Sequence, residues 1–363
     1  MTIELDFTEA DWERVTDAWT AWWAGDLDRP LVMIEGMVQG SEAVVAAAPD
    51  FTSNFGLDVA AGNVIDCYQA RLEATRWYGD DFPKWWLNFG PGIMAGFLGA
   101  RVHCIPDTVW FTPGSVSAIS EIDLVYDAQN PWWLRTQELT RLAVSRWGDA
   151  IAIAHTDLGG NLDILASLRD TQQLLFDLYD SPEEVIRLGD RITTLWWRYY
   201  DELAGIIAEA GRGTTPWAAI WSPERCYMLQ SDFSYMISPQ MFERFVLPDL
   251  FACCDVLDHA FYHLDGKGQI PHLDMLLSLG GLRGIQWISG DGAPPPEQWI
   301  PLLKRIRDAG KLCQLYVSPE GALRIVRDVG GRGFAFYIQE PMQPDEAADF
   351  LSVLEAEAKE IGY

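Results

Sequence analysis

The chain has 363 residues, 49% of them hydrophobic, and 26 Lys plus Arg stand against 53 Asp plus Glu for a net charge of −27. That length and composition allow a deep apolar core, and without any Ser-, Gly- or Pro-rich tract they exclude a disordered polymer and a small disulfide scaffold. A surface this acidic repels nucleic acid and anionic membrane, so neither is expected as a partner.

At the N-terminal end, Glu9–Trp23 sets Trp12, Trp19, Trp22 and Trp23 within helical reach of one face, which predicts a helix docked on the body of the fold. The start MTIELDFTEADWERV is acidic and lacks the basic-then-apolar layout of a signal peptide. No apolar run approaches the roughly 18 to 20 residues of a membrane span. A cytoplasmic location is therefore expected, with the six scattered cysteines as reduced thiols. Eight short runs read as strands covered on both faces: Leu31–Glu35, Lys84–Phe89, Ala150–His155, Pro216–Trp221, Ala260–His263, Gly284–Ile288, Leu312–Val317 and Phe334–Ile338. Between the second and third, the alternating stretches Arg101–Phe111 and Ile119–Tyr126 predict a hairpin excursion within residues 100–130. Helix starts are marked by Ser181-Pro182-Glu183, opening a segment to about Ala210, by Ser238-Pro239 and by Ser318-Pro319. Pro344-Asp345-Glu346 opens a last helix ending near Gly362.

Eight strands separated mainly by helices predict a (β/α)8 TIM barrel, one elaborated domain over 1–363 with residues 1–30 as its docking segment. No G-x-G-x-x-G follows the early strands, and no Walker A, HExxH or G-x-S-x-G is present. Barrel enzymes carry reactive groups at the C-terminal strand ends. Those ends offer Glu35, Asn88, His155, Asp157, Trp221, His263, Asp265, Asp291, Gln339 and Glu340.

In Tyr262-His263-Leu264-Asp265-Gly266, residues two apart on a strand point the same way, so His263 and Asp265 can meet at one metal ion or one substrate group. Glu340, just past the last strand, is the best-placed third donor, and zinc suits such a set. Two plainer readings stay open: Asp265 orients His263, or it accepts backbone hydrogen bonds where the chain turns at Gly266. His155 and Asp157 repeat the spacing, either for proton transfer and substrate polarisation or as a buried histidine satisfied by its neighbour. Asn88 opens Asn88-Phe89-Gly90-Pro91-Gly92, a turn that exposes backbone groups to a ligand or simply a rigid connection. Trp110, Trp221 and Tyr235 are expected to wall a small-molecule pocket, with Glu35 and Gln339 beside them.

Three stretches carry a family resemblance: NLDILASLRDTQQLLFDLYDSPEEV from Asn161, DFSYMISPQMFERFVLP from Asp232, and FYHLDG from Phe261. With GGRGFAFYI before the end of the last strand, the sequence resembles the uroporphyrinogen decarboxylase superfamily, which includes methyltransferases linked to corrinoid proteins. The resemblance implies a (β/α)8 barrel, often a homodimer, with its site at the strands' C-terminal ends. The decarboxylating members grip carboxylates with an arginine-rich segment after the first strand, whereas here Leu31–Gly40 reads LVMIEGMVQG, without arginine. The zinc methyltransferases carry H-x-C near the fifth strand and a further Cys near the eighth. This sequence matches the histidine as His263 and offers Asp265 and Glu340 at the cysteine positions. The implied function is a metal-assisted methyltransferase acting on a small molecule, with a corrinoid carried by a partner protein. The alternatives are a metal-free decarboxylase or lyase using Asp and His as acid and base, and a non-catalytic small-molecule-binding barrel.

Overall fold

The computed structural model describes residues 3–115 and 117–361, so the expected helix end near Gly362 lies outside the described residues. Its strands are β1 (Leu31–Met37), β2 (Thr75–Gly79), β3 (Lys84–Trp86), β4 (Arg101–Ile105), β5 (Thr108–Thr112), β6 (Ala152–Ala154), β7 (Cys226–Gln230), β8 (His259–Asp265), β9 (Leu282–Ile288), β10 (Leu312–Val317) and β11 (Phe334–Ile338). Seven form one sheet in the order β2-β1-β11-β10-β9-β8-β7, parallel throughout except for β2. β3 and β6 make a separate parallel pair, and β4 and β5 an antiparallel hairpin.

The expected strands are therefore mostly in place, but the sheet does not close. Among the described residues no ladder joins β1 to β3 or β6 to β7, and one isolated bridge, Ala154 to Thr215, spans part of the second gap. The cause lies at β1, whose free edge is taken by β2 running antiparallel from Met33–Gly79 to Met37–Thr75. β3 and β6 have three residues each, too few to extend a ladder beyond their own pair. Side chains at alternate positions still converge: Met33, Ala152, Met228, Phe261, Leu312 and Ala335 share one buried cluster.

The N-terminal helix, Glu9–Ala24, lies against that cluster. It opens on a capping box in which the Asp11 amide donates to Thr8 Oγ1 (3.3 Å) and the Thr8 amide to Asp11 Oδ2 (2.9 Å). Its tryptophans bury their rings and spend their N–H groups on backbone carbonyls: Trp19 on Asp80 (3.0 Å), Trp22 on Phe334 (3.1 Å) and Trp23 on Trp221 (2.8 Å).

Two sequence expectations fail here. Pro216–Trp221 is not a strand: the run turns on itself, with the Ile220 amide donating to Ala218 O (2.9 Å) and Thr215 Oγ1 to Ile220 O (2.7 Å). It is apolar because it packs under the N-terminal helix, and the ladder is made by β7 ten residues later. Ile119–Tyr126 likewise forms no strand, because β4 and β5 complete the hairpin between Arg101 and Thr112. The helices Pro182–Ala208, Pro239–Phe245, Pro319–Val329 and Pro344–Ile361 begin where their Ser-Pro or Pro-acid starts predict. Ser238 and Ser318 cap theirs through Oγ, accepting from Met241 N (3.3 Å) and Gly321 N (3.0 Å). Among the described residues no helix is long and apolar enough to cross a membrane.

Candidate metal centre

β7 and β8 are neighbours, with Gln230 level with His263, so the turn after β7 lies beside the end of β8. Two glycines make that approach possible. At Gly160, a Cβ would lie 2.0 Å from the Gln230 carbonyl oxygen, so the helix Asn161–Arg169 starts directly against β7. Asp163 in its first turn then accepts from the Asp232 amide (3.1 Å) and the Phe233 amide (2.7 Å), fixing the turn that carries Asp232. At Gly266, φ is +76°, a left-handed turn that takes the chain away immediately after Asp265.

The result is a group of three donors. Asp232, His263 and Asp265 each bring one oxygen or nitrogen to within 4.8 Å of the others. Asp232 stands at the exposed lip, and His263 and Asp265 are half-buried on β8. His263 Nδ1 is hydrogen-bonded to Gln286 Oε1, so this nitrogen carries the proton and Nε2 is left with a lone pair. Gln286 in turn donates from Nε2 to Gln314 Oε1 (2.6 Å), so a row of polar side chains crosses β8, β9 and β10. Trp217 meets the His263 ring edge-on at 5.1 Å. Burial holds the imidazole below its ordinary pKa against the opposing pull of Gln286 and Asp265, which favours the neutral, ligating form. Asp163 rises to about 7 by burial and by the charge of Asp232. Two carboxylates and an imidazole fit zinc and other first-row divalent ions, and a ligating His fixed through its other nitrogen is the arrangement such sites use.

Two cavities flank the group. One, of about 420 Å³, is lined by Asp232, Asp163, Gln230, Trp110 and Phe233 among others, and the other, of about 560 Å³, by Asp265, Asp291, Trp287, Tyr316 and Gln339. The sequence reading placed Trp110 and Gln339 at a pocket, and they line these two. Tyr235 packs its ring over the turn at Gly266 and Gly268, bracing the end of β8.

Other expected residues sit elsewhere. Glu340 is exposed in the bend after β11 and does not join the group; Asp232 takes the third position. Trp221 is 3% exposed and donates to Arg212 O (2.7 Å) among the residues under the N-terminal helix, so it lines neither cavity. His155 and Asp157 do not work as a pair. The His155 ring stacks on Tyr200 with centroids 4.5 Å apart and finds no hydrogen-bond partner, and Asp157 accepts from the Gly159 amide (2.8 Å). Glu35 and Asn88 line a third cavity of about 290 Å³ between β1 and β3. There Asn88 is occupied with Asp50 O (2.9 Å) and Gly90 N (3.0 Å).

No family model and no curated protein matches the sequence. Among solved structures, a methyltransferase from Methanosarcina mazei aligns with a TM-score of 0.62 over 94% of this chain and 98% of its own, at 13% identity. The two share a fold. That agreement concerns the course of the chain. At this identity it speaks for architecture alone. A B12-independent methionine synthase from a Shewanella species aligns over 92% of this chain and 94% of its own at 12% identity, with a TM-score of 0.39, too low to bear on the argument.

Proposed function

We propose that this chain is a methyltransferase that moves a methyl group between a small molecule and a corrinoid carried by a partner protein, at a divalent metal ion held by Asp232, His263 and Asp265. The observation that carries the reading is the approach of those three donors at the ends of two adjacent parallel strands, between two cavities. On this reading the parallel strands are the staves of a (β/α)8 barrel whose ladder is interrupted at two seams. Such an ion, zinc first among the candidates, supplies Lewis acidity toward the heteroatom that bears the methyl group.

The chain's own residues do the rest. Gln286 engages His263 through Nδ1 and leaves Nε2 as the nitrogen free to ligate, and Asp163 holds the Asp232 turn in place. The two cavities give the methyl donor and the acceptor separate approaches. A polycarboxylate substrate does not suit these walls. The first strand is followed by no arginine, and Arg29 before it is bound by Asp80 at 2.6 and 2.8 Å.

Metal titration of the purified chain tests this. Zinc is expected to bind at one equivalent, and His263→Ala, Asp232→Asn and Asp265→Asn each to weaken it by about tenfold or more. Glu340→Gln is expected to leave the affinity unchanged. Failure to bind zinc, cobalt, nickel or iron above background after reconstitution overturns the metal reading.

A further inference from the structure

We infer that the cavity of about 290 Å³ between β1 and β3 takes a small zwitterion, an amino acid in chemical class, with its ammonium at Glu35 and its carboxylate at Lys84. This site is independent of the methyl-transfer reading. Of the charged, hydroxyl and amide side chains in the cavity wall, all but two are engaged by the chain itself. Arg71 and Asp50 pair at 3.0 Å. Tyr68 donates to Pro49 O (2.8 Å), Thr75 to Arg71 O (2.9 Å) and Asn88 to Asp50 O (2.9 Å). Glu35 and Lys84 are the two left over: among the described residues neither has an ion-pair partner, and they do not pair with each other.

The two charges stand on separate strands that no ladder joins, at the first gap in the sheet. The Lys84 ammonium lies 5.4 Å from the ring centroids of both Phe82 and Tyr337, contacts that steady a cation without neutralising it. Glu35 lies close enough to Tyr337 that its charge, after burial, raises the pKa of the phenol. Asp81 also feels the charge of Lys84, but it is 1% exposed, accepts from the Phe82 amide (2.9 Å) and does not line the cavity. A lone cation entering this space meets Lys84, and a lone anion meets Glu35. A zwitterion gives each of them a counter-charge and a charge-assisted hydrogen bond. Trp77 and Trp86 offer apolar faces to the carbon chain between its two ends. The volume lies at the lower end for ligand pockets and suits a guest of amino-acid size.

Calorimetric titration of the full chain tests this, in the presence of a chelator so that no amino acid binds through a metal ion. The probes are leucine, γ-aminobutyrate and ε-aminocaproate, which differ in charge separation, with pentylamine and hexanoate as singly charged controls. At least one zwitterion is expected to bind about tenfold more tightly than either control. Lys84→Met is expected to reduce that zwitterion to the affinity of pentylamine, and Glu35→Gln to that of hexanoate. Lys84→Arg, which keeps the charge, is expected to retain the preference. Pentylamine or hexanoate binding as tightly as every zwitterion overturns the inference, as does the failure of all three zwitterions to bind below about 10 mM. So does an unchanged zwitterion affinity in a Lys84→Met or Glu35→Gln chain whose melting curve shows it folded. Zinc binding at Asp232, His263 and Asp265 is measured separately, so either reading can fail while the other stands.

Discussion

At the scale of single residues, the metal reading turns on how one imidazole is held. Gln286 accepts from His263 Nδ1 and is itself fixed by Gln314, so neither amide can rotate without breaking a buried hydrogen bond. Gln286→Leu is therefore expected to weaken zinc binding by about ten- to a hundredfold while the chain stays folded, and Gln286→Glu to restore part of it, read by competition with a chelating dye. His155 behaves oppositely. Burial drives its pKa down to about 3 and neither ring nitrogen has a partner. The unfolded chain takes up a proton near 6.5, the folded one only near 3, so the contribution of this residue is complete above pH 6.5 and is lost as pH falls toward 3. His155→Phe is expected to keep stability at pH 7 within about 1 kcal/mol and to lose less on acidification to pH 4, measured by urea unfolding across that range. The His263–Asp265 pair was legible from i, i+2 spacing alone. Asp232 was not, although it opens one of the resembling stretches, because the apolar run Pro216–Trp221 looks more like a strand than Cys226–Gln230, the one that leads into it. Gln286 and Gln314 were visible only as polar residues inside apolar strands, a pattern whose meaning depends on neighbours that the sequence does not reveal.

Elements were read well where local chemistry decides them, as at the Ser-Pro helix starts and the tryptophan-bearing N-terminal helix. They were misread where tertiary packing decides. PWAAIW and CYMLQ are both apolar and both buried, yet only the second enters a ladder, since the first is buried by the helix packed over it. That helix is held chiefly by large rings with satisfied N–H groups. Trp19 is fully buried and donates to Asp80 O, so Trp19→Ala is expected to cost about 3–5 kcal/mol in chemical denaturation, combining lost packing with an orphaned carbonyl. Glu340 teaches a related lesson. Position past a strand end is not orientation, and two residues beyond β11 the chain has already bent outward into solvent.

For the molecule as a whole, counting strands gave the right layering of helices around a mostly parallel sheet, while closure was beyond reach of counting. β2 returns along β1 because a helix, Ala61–Ala74, delivers the chain to that edge, and nothing in the local pattern of Thr75–Gly79 marks it as a competitor for β1. The seams that follow carry their own dynamics. β3 and β6 have only each other for ladder partners, apart from one bridge, whereas β9 and β10 are paired on both edges. Amide hydrogens of β3 and β6 are accordingly expected to exchange with deuterated solvent well before those of β9 and β10, as resolved by mass spectrometry of peptide fragments. The cavity lined by Glu35, Lys84 and Trp86 lies along the first seam. A flank that opens as that exchange experiment predicts would give a small solute a lateral entrance, independent of the rim where β8 and the turn after β7 present their acids.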